Sequence, residues 1–563
     1  MQISFSGLYG VLEWQSAEFS LFSRLRDTFS VLDPDRFVVE AFRRGFWDGK
    51  SHVISKDGKF LRGMAGAIVK EIRTLGGEVE DYVPYNREWI ERNAPYVHLA
   101  DKLHLEGIAL AEHQRRMTRA LLKYGGGTVE GVTGCGKTES ITLLARILSE
   151  YTEKIFFIVH RIGLMRAAKE RVVERCPELA PLCGLLGDGE RPKEEDRLIF
   201  STVQSLSTVL GIGKKKKGKD AEMERIWKDG GAIIIDEAHR VAGEGYLKVL
   251  SKAPEVPIYQ FSGTPEVDDP VRDWAIIGVG GPIVTRVKRS EMEAIGFIAE
   301  AIACVREFTR KADEIPGSKR KRRILWMPVK EKESYEVTAL RVEKDGEFSQ
   351  CQLKVDPSKG LQTEENEYYL YPGYGRDMVL LEKNRNADIA NFIRASLADE
   401  RQPLVLCERV AQTYYLRNIL VGEGLPAGQI GLVHGSHDVD ERREAVAAYE
   451  SGQKPVLIAS AIFDEGEDIK EVGSVVLAAG GASLVKVVQR IGRGVRAKAS
   501  ETGNYIPIWF PLDGLTEFSR EHTIARVGYL QRAEISIEEN TGDWEHFFSF
   551  LRDKYGKNLS RVA

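Results

Sequence analysis

A chain of 563 residues with a net charge of −4, 43% apolar and 29% charged residues has the balance of a soluble globular protein, which excludes a disordered one. It is too long for a single hydrophobic core, so about three or four domains are expected. The longest apolar run, Trp274 to Thr285, falls short of the ~18 residues a membrane span needs, and the overall charge gives no sign of a nucleic-acid partner, which local patches would have to hold.

The opening residues MQISFSGLYG lack the basic and apolar regions of a secretion signal, and the six cysteines (Cys135, Cys176, Cys183, Cys304, Cys351, Cys407) form no C-x-x-C pair. That pattern argues against a zinc site and a disulfide framework and fits a reducing compartment. The expectation is a cytoplasmic protein with no membrane partner.

Residues 1–95 read as a small α+β accessory domain. RFVVEAF and KSHVI have strand composition, and MAGAIVKEIRTLGG reads as a helix stopped by glycine. From Arg36 to Arg73 there are nine Arg and Lys against four Asp and Glu, a local basic excess. Within it, AFRRGFWDGKSHV interleaves Arg43, Arg44 and Lys50 with Phe42, Phe46 and Trp47. RRGFWDGK followed by GKFLRGMAGAIVKEI resembles the small N-terminal domain of phage recombination helicases, and the resemblance implies DNA phosphate contacts from Arg43, Arg44, Lys50, Lys56 and Arg62 that are sequence-independent and salt-sensitive. Trp47 can stack on an unpaired base, or it can be core of the small domain with Asp48–Gly49 as its turn; core packing is the favoured reading.

Residues 96–300 alternate strands and helices. KIFFIVH, RLIFS, GAIIIDE and VPIYQFSG are short apolar runs ending in polar residues, the mark of a parallel sheet covered on both faces with ligands at its C-terminal strand edges. GVTGCGKT, Gly131 to Thr138, follows the strand-like GTVEGV and opens a helical stretch. In such a G-x-x-x-x-G-K-[ST] loop the backbone N–H groups of Gly131, Thr133, Gly134, Cys135 and Gly136 wrap phosphates, Lys137 reaches the β- and γ-phosphates, and the Thr138 hydroxyl ligates Mg²⁺. AIIIDEAHR then delivers Asp236 to a strand end as a second Mg²⁺ ligand, with Glu237 placed to polarise the attacking water. ATP and Mg²⁺ are the expected cofactors.

A basic loop, GKKKKGKD at residues 213–220, reads as a solvated surface segment. Residues 301–380 break the alternation and read as a linker with a β-rich insertion: SYEVTALRVEKDGEFSQCQLKV alternates around a DG turn, and SKRKRR at 318–323 is a phosphate-contacting hairpin root or a linker. Alternation resumes over 381–540 with PLVLCE, QIGLVHG, PVLIAS, SVVLAAG and NYIPIWF. Residues 541–563 read as an amphipathic helix, with Trp544, Phe547, Phe548 and Leu551 on one side, docked on the second lobe.

DEAH downstream of GVTGCGKT resembles a superfamily 2 helicase, and further motifs follow in the family's order. LAEHQ places Gln114 like the family's adenine-reading glutamine. IVHRIGLM and STVQSL resemble its strand-gripping motifs, implicating His160, Arg161, Thr202 and Gln204. FSGTPE resembles motif III, where Ser262 and Thr264, with His239 of DEAH, would couple hydrolysis to movement. IASAIFDEGEDI is similar to motif V, with Ser460 for the commoner Thr, then Gly466 and Asp468; the resemblance implies a DNA contact at Ser460 and nucleotide binding at Gly466 and Asp468. VVQRIGRGVR matches motif VI, with Gln489, Arg490, Arg493 and Arg496; the resemblance implies that Gln489, Arg493 and Arg496 act in hydrolysis, the two arginines on the γ-phosphate, while an ordinary ion pair is favoured for Arg490.

EGEDI and QRIGRGVR resemble the DNA-acting branch that contains XPB, RadD and the phage UvsW recombination helicases. SREHTIARVGYL, with His522, Arg526 and Tyr529 at helical spacing, looks like an ending found there; a helix packed on the second lobe is at least an equal reading. The resemblance implies two tandem RecA-like α/β lobes and an ATP-dependent DNA helicase or translocase, 3′→5′, acting on single-stranded, forked or branched DNA in recombination, replication or repair, alongside other recombination or replication proteins, in a bacterial or phage-infected cell; the sequence leaves the oligomeric state open, with a monomer favoured. Duplex translocation without strand separation and RNA remodelling are the alternatives.

Overall fold

The computed structural model describes residues 1–563 except 34–35, 213–219, 264–269, 310–334, 344–346, 357–359, 362–367, 371–378, 461–468, 470–471, 479–503, 516 and 557–563. The chain divides into two compact units, Met1–Lys288 and Arg289–Ala563.

The first unit is built on a seven-stranded sheet whose strands run in the order Ile283–Val287, Gly127–Gly131, Ile258–Ser262, Ala232–Asp236, Ile155–Val159, Leu198–Thr202, Cys183–Leu186. Every pairing is parallel. Phe156, Ile158, Ile233 and Ile235 pack on one face with Trp227, Val249 and Ile276. Phe157, Val159 and Ile234 on the alternate positions are equally buried, so each strand needs apolar residues at consecutive positions.

The second unit holds another all-parallel seven-stranded sheet, in the order Ile430–Val433, Val456–Ser460, Pro403–Cys407, Ser474–Leu477, Tyr505–Gly514, Glu300–Thr309, Ser536–Glu539. Two such sheets with crossover helices are tandem RecA-like lobes. The expected boundary moves, because Glu300–Thr309 is not linker. It lies between Tyr505–Gly514 and Ser536–Glu539, with Ala301, Ala303 and Val305 buried in one core and Ile302 and Cys304 in another. Alternating small apolar residues on both faces suit a sheet interior.

The insertion is β-rich. Tyr335–Val342 pairs antiparallel with both Phe348–Asp356 and Tyr368–Leu370. Val342 and Leu370 pack with Ala411, Tyr414 and Tyr415 of the Val410–Gly422 helix, so the insertion is seated on the second lobe. The DG turn and SKRKRR lie outside the described residues. In the helix Trp544–Tyr555, residues Trp544, Phe547, Phe548 and Leu551 are buried in the second lobe's core, and the Trp544 indole N–H donates to Asp388 at 2.9 Å.

The N-terminal residues do not stand apart from the first lobe. Their three-stranded sheet (Gln2–Ser6, Tyr9–Glu13, Lys59–Leu61) and the helix Ala65–Thr74 share a core that includes Trp274 and Ile277 of the helix Pro270–Gly280. Gly63 makes the contact possible: a Cβ there would lie 2.2 Å from the Ile277 carbonyl oxygen. Arg62 is 2% exposed and donates to the carbonyls of Gly7 and Val256, with its guanidinium 4.6 Å over the Trp89 ring. Burial lowers its pKa to about 10. The expected phosphate contact by Arg62 is therefore excluded; it fastens this domain to the lobe.

RFVVEAF is not a strand. Arg36–Val38 is a 3₁₀ turn and Glu40–Arg43 a short helix, closed by Gly45 at φ +74°. The excursion leaves and rejoins a two-stranded ribbon, Ser30–Leu32 with Lys50–His52, whose base is the Asp33 N–H donating to Gly49 at 2.8 Å. Local backbone closure overrides β-branched composition here.

Candidate nucleotide and nucleic-acid site

The parallel strands of the first lobe all present their C-terminal ends on one edge, and register fixes which residues meet there. Val159 pairs with Thr202, Ile158 with Ile235, Asp236 with Phe261 and Ser262 with Glu130. The chain therefore lines up Thr202, His160, Asp236–Glu237, Ser262 and the loop after Gly131 along a single edge, although they lie far apart in sequence.

The loop from Gly131 to Thr138 leaves its strand and enters the helix Lys137–Leu148. Gly134 and Gly136 have φ of +88° and +79°, a left-handed backbone that side-chain-bearing residues avoid. Lys137 is 8% exposed; among the described residues its Nζ meets carbonyl oxygens, Gly131 at 2.8 Å and Val132 at 3.4 Å. A buried ammonium held by neutral carbonyls suits an anionic ligand. Cys135 is fully buried and its thiol is pushed up by burial, so it serves packing rather than chemistry.

Gln114 is 2% exposed, and its amide closes the start of the helix Glu112–Tyr124, accepting from the Ala111 N–H at 2.9 Å. A Cβ on Gly136 would lie 2.0 Å from Gln114 Nε2, so the glutamine rests directly on the phosphate-binding loop. Ser140 Oγ donates to the Gln114 carbonyl at 3.1 Å, and Thr118 Oγ1 donates to the Ser140 carbonyl at 3.1 Å.

Asp236 ends its strand and accepts from the Glu237 N–H at 2.9 Å. Glu237 has φ +56°, strain that a non-glycine residue pays for being turned out of the strand. His239 Nδ1 lies 3.3 Å from Glu237 Oε2 and 3.4 Å from Ser262 Oγ, bridging the second and third motifs. Thr138 and Asp236 could offer two oxygen ligands, and Mg²⁺ ordinarily takes one or two protein ligands with substrate phosphates and water, so this donor chemistry is compatible with that ion. Sequence reasoning passed over Gly263, where a Cβ would meet Thr133 Oγ1 at 3.3 Å and Lys137 Nζ at 3.8 Å. A glycine one residue after a strand end was the available signal.

The expected nucleic-acid residues divide. Arg161 and Gln204 are exposed at helix starts beside this edge. Thr202 is 3% exposed and caps the helix Val203–Val209, accepting from the Ser205 N–H at 3.1 Å; its hydroxyl is committed to that cap. His160 is half-buried, its pKa lowered to about 4 by burial and by Arg240. In the second lobe Ser460 ends its strand and is 2% exposed.

On the N-terminal domain Arg43 and Arg44 are exposed, Arg44 paired with Glu40, and Lys50 binds Asp27 at 2.9 Å. Trp47 is neither main core nor free surface. It is half-buried, edge-on to Phe42, with its indole N–H donating to the Lys50 carbonyl at 2.9 Å. Arg526 is fully buried on Asp513 at 3.2 Å, which settles its helix as packed against the lobe. Thr264, Gly466, Asp468, Gln489, Arg490, Arg493 and Arg496 lie outside the described residues.

Such a strand edge defines a P-loop ATPase lobe, and a second RecA-like lobe follows it in the same chain. Residues 107–267 match the family model described as type III restriction enzyme, res subunit, and residues 385–498 match the helicase conserved C-terminal domain. Both matched models are helicase-type domains, and the chain is similar to superfamily 2 helicases, XPB-type proteins among them. "Putative helicase 22" of a Sulfolobus islandicus filamentous virus is 22% identical over 68% of this chain and 60% of its own length. The DNA 3′-5′ translocase XPB2 of Sulfurisphaera tokodaii is 24% identical over 70% of this chain and 80% of its own. The crystal structure of UvsW of bacteriophage T4 aligns with 96% of this chain and 99% of its own at 17% identity, with a TM-score of 0.42. Among the described residues no helix is long and apolar enough to cross a membrane.

Proposed function

We propose that this protein is an ATP-dependent DNA helicase or translocase that unwinds or branch-migrates DNA in recombination, replication or repair, moving 3′→5′. The observation that carries the reading is the single strand edge on which Lys137, Glu237, His239 and Ser262 meet beside Arg161 and Gln204. Lys137 would hold the triphosphate, and Thr138 and Asp236 would hold Mg²⁺, which would supply charge neutralisation at the phosphates. Glu237 orients and deprotonates water. The Glu237–His239–Ser262 bridge passes the nucleotide state to the neighbouring strand end. Arg493 and Arg496 act as arginine fingers on the strength of their motif. The XPB2 name supports DNA as the track and 3′→5′ as the direction.

ATP hydrolysis measured against single-stranded DNA, blunt duplex, fork, four-way junction and RNA tests the assignment. Stimulation by DNA is expected, greatest with forked or branched forms. Stimulation by RNA alone would overturn it. A forked-duplex unwinding assay in parallel separates the two activities: hydrolysis with movement and no single-stranded product identifies a duplex translocase.

A further inference from the structure

The excursion from Arg36 to Gly49 shows two large aromatic rings to solvent. Phe46 is 79% exposed and Phe37 63% exposed, while Phe42 between them is half-buried. Phe42 is the small core of this excursion, edge-on to Phe37 at 5.5 Å and to Trp47 at 6.3 Å. Its floor is Gly49, where a Cβ would sit 2.7 Å from the Phe42 ring and 2.8 Å from Arg36 Cδ. The scaffold is therefore packed, and the outward rings are not slack ends.

The backbone holds Phe46 outward. Gly45 turns left-handed at φ +74° with nothing within 4 Å of where a Cβ would stand, and the N–H groups of Phe46 and Trp47 both donate to the Ala41 carbonyl, at 2.9 and 3.2 Å. Arg36 lies 4.3 Å over the Phe37 ring, and Arg43, which ends the short helix, and Arg44, which caps it, are both exposed on the way to Phe46. Exposed rings beside guanidinium groups on a rigid turn suit a partner with flat π faces and negative charge. Unpaired nucleotides have both; a fully paired duplex hides its faces.

We propose that Phe46 and Phe37 form a base-stacking finger that engages unpaired nucleotides at a fork or branch, with Arg43 and Arg44 on the adjoining phosphates. The stacking role weighed as the alternative for Trp47 falls instead to Phe46 and Phe37, since the indole is tied to Phe42 and to the Lys50 carbonyl. This rests on the DNA reading above and names the DNA feature recognised.

The test uses the full chain and fluorescence anisotropy with a labelled fork carrying unpaired arms and a blunt duplex of equal length, at one salt concentration. Phe46→Ala with Phe37→Ala is expected to weaken fork binding by at least about tenfold and to leave duplex binding within about twofold of the parent chain. Phe46→Trp, which keeps a stacking ring, is expected to bind forks like the parent. A 2-aminopurine in the unpaired arm is expected to be quenched by the parent chain and not by the double variant. Unchanged fork binding, or equal weakening on both DNAs, overturns the finger and leaves the rings to a protein partner. A parent chain that binds forks and duplex equally overturns the finger alone; a parent chain that binds neither overturns the DNA reading itself.

Discussion

Arg385 donates from Nε to Asp513 at 3.0 Å with both side chains essentially removed from water, 1% and 0% exposed. Asp513 also receives Arg526 at 3.2 Å, so one buried carboxylate balances two guanidinium groups. Arg385 further donates to the Ala478 carbonyl at 2.9 Å, joined there by Gln412 Nε2 at 3.1 Å. The cluster clamps the end of the Ser474–Leu477 strand to the helices carrying Arg385, Gln412 and Arg526. Asp513→Asn leaves two cations without their shared anion and is expected to destabilise the second lobe by about 3–5 kcal/mol, read as a lowered unfolding midpoint in urea. A midpoint within experimental error of the parent chain would show the cluster to be energetically idle.

Lys137→Ala removes the only buried ammonium in the phosphate loop among the described residues, and Glu237→Gln keeps the shape at 237 while removing the base. Both are expected to lower kcat for ATP hydrolysis by on the order of 10²–10³-fold or more, Lys137→Ala with weakened nucleotide binding and Glu237→Gln with binding retained. Phosphate release and fluorescent-nucleotide binding separate the two. Robust turnover by Glu237→Gln would remove Glu237 from the chemistry.

Gly63→Ala places a methyl group 2.2 Å from the Ile277 carbonyl oxygen, where the neighbour is backbone and cannot swing aside. A cost of roughly 1–3 kcal/mol is expected, concentrated at the seam between the N-terminal domain and the first lobe. Limited proteolysis should then cut faster near this seam than in the Lys137–Leu148 helix. Indistinguishable cleavage would mean that the seam relaxes.

His160 carries a pH signature. Its pKa near 4 lies below the ordinary histidine value because burial, then Arg240, disfavours the imidazolium. Between about pH 6.5 and 4 the unfolded chain binds a proton that the folded chain refuses, so this group makes stability fall as pH falls through that window. His160→Gln is expected to lose less stability than the parent chain between pH 7 and pH 5, compared by urea midpoints. A pH-independent difference between the two proteins would contradict it.

The inner strands such as AIIIDE and PVLIAS were legible because each buries both faces and so reads as an unbroken apolar run, whereas the half-exposed edge strands Ile283–Val287 and Ser536–Glu539 do not. The phosphate loop was legible because its backbone demands glycine at fixed offsets. Other features depend on partners far along the chain. Glu300–Thr309 contains Glu300, Arg306 and Glu307 and gives no boundary signal; only pairing with Tyr505–Gly514 makes it a central strand. Arg62 looks like any surface cation until its acceptor at Val256 is known. Arg36–Val38 has strand composition, yet the closure from Asp33 to Gly49 and the left-handed Gly45 set its path.

The place of Glu300–Thr309 in the second sheet also imposes an order on synthesis. The first sheet has all its strands once Val287 has left the ribosome, so that lobe can close early. Glu300–Thr309 emerges next but must wait roughly 200 residues for Tyr505–Gly514, on the order of 10–40 s at ordinary elongation rates. During that interval a ten-residue strand with small apolar side chains on both faces has neither of its neighbours. The nascent second lobe is therefore the half of this protein expected to lean more on chaperones, and a stop codon between Thr309 and Tyr505 would release a finished first lobe trailing an unpaired strand.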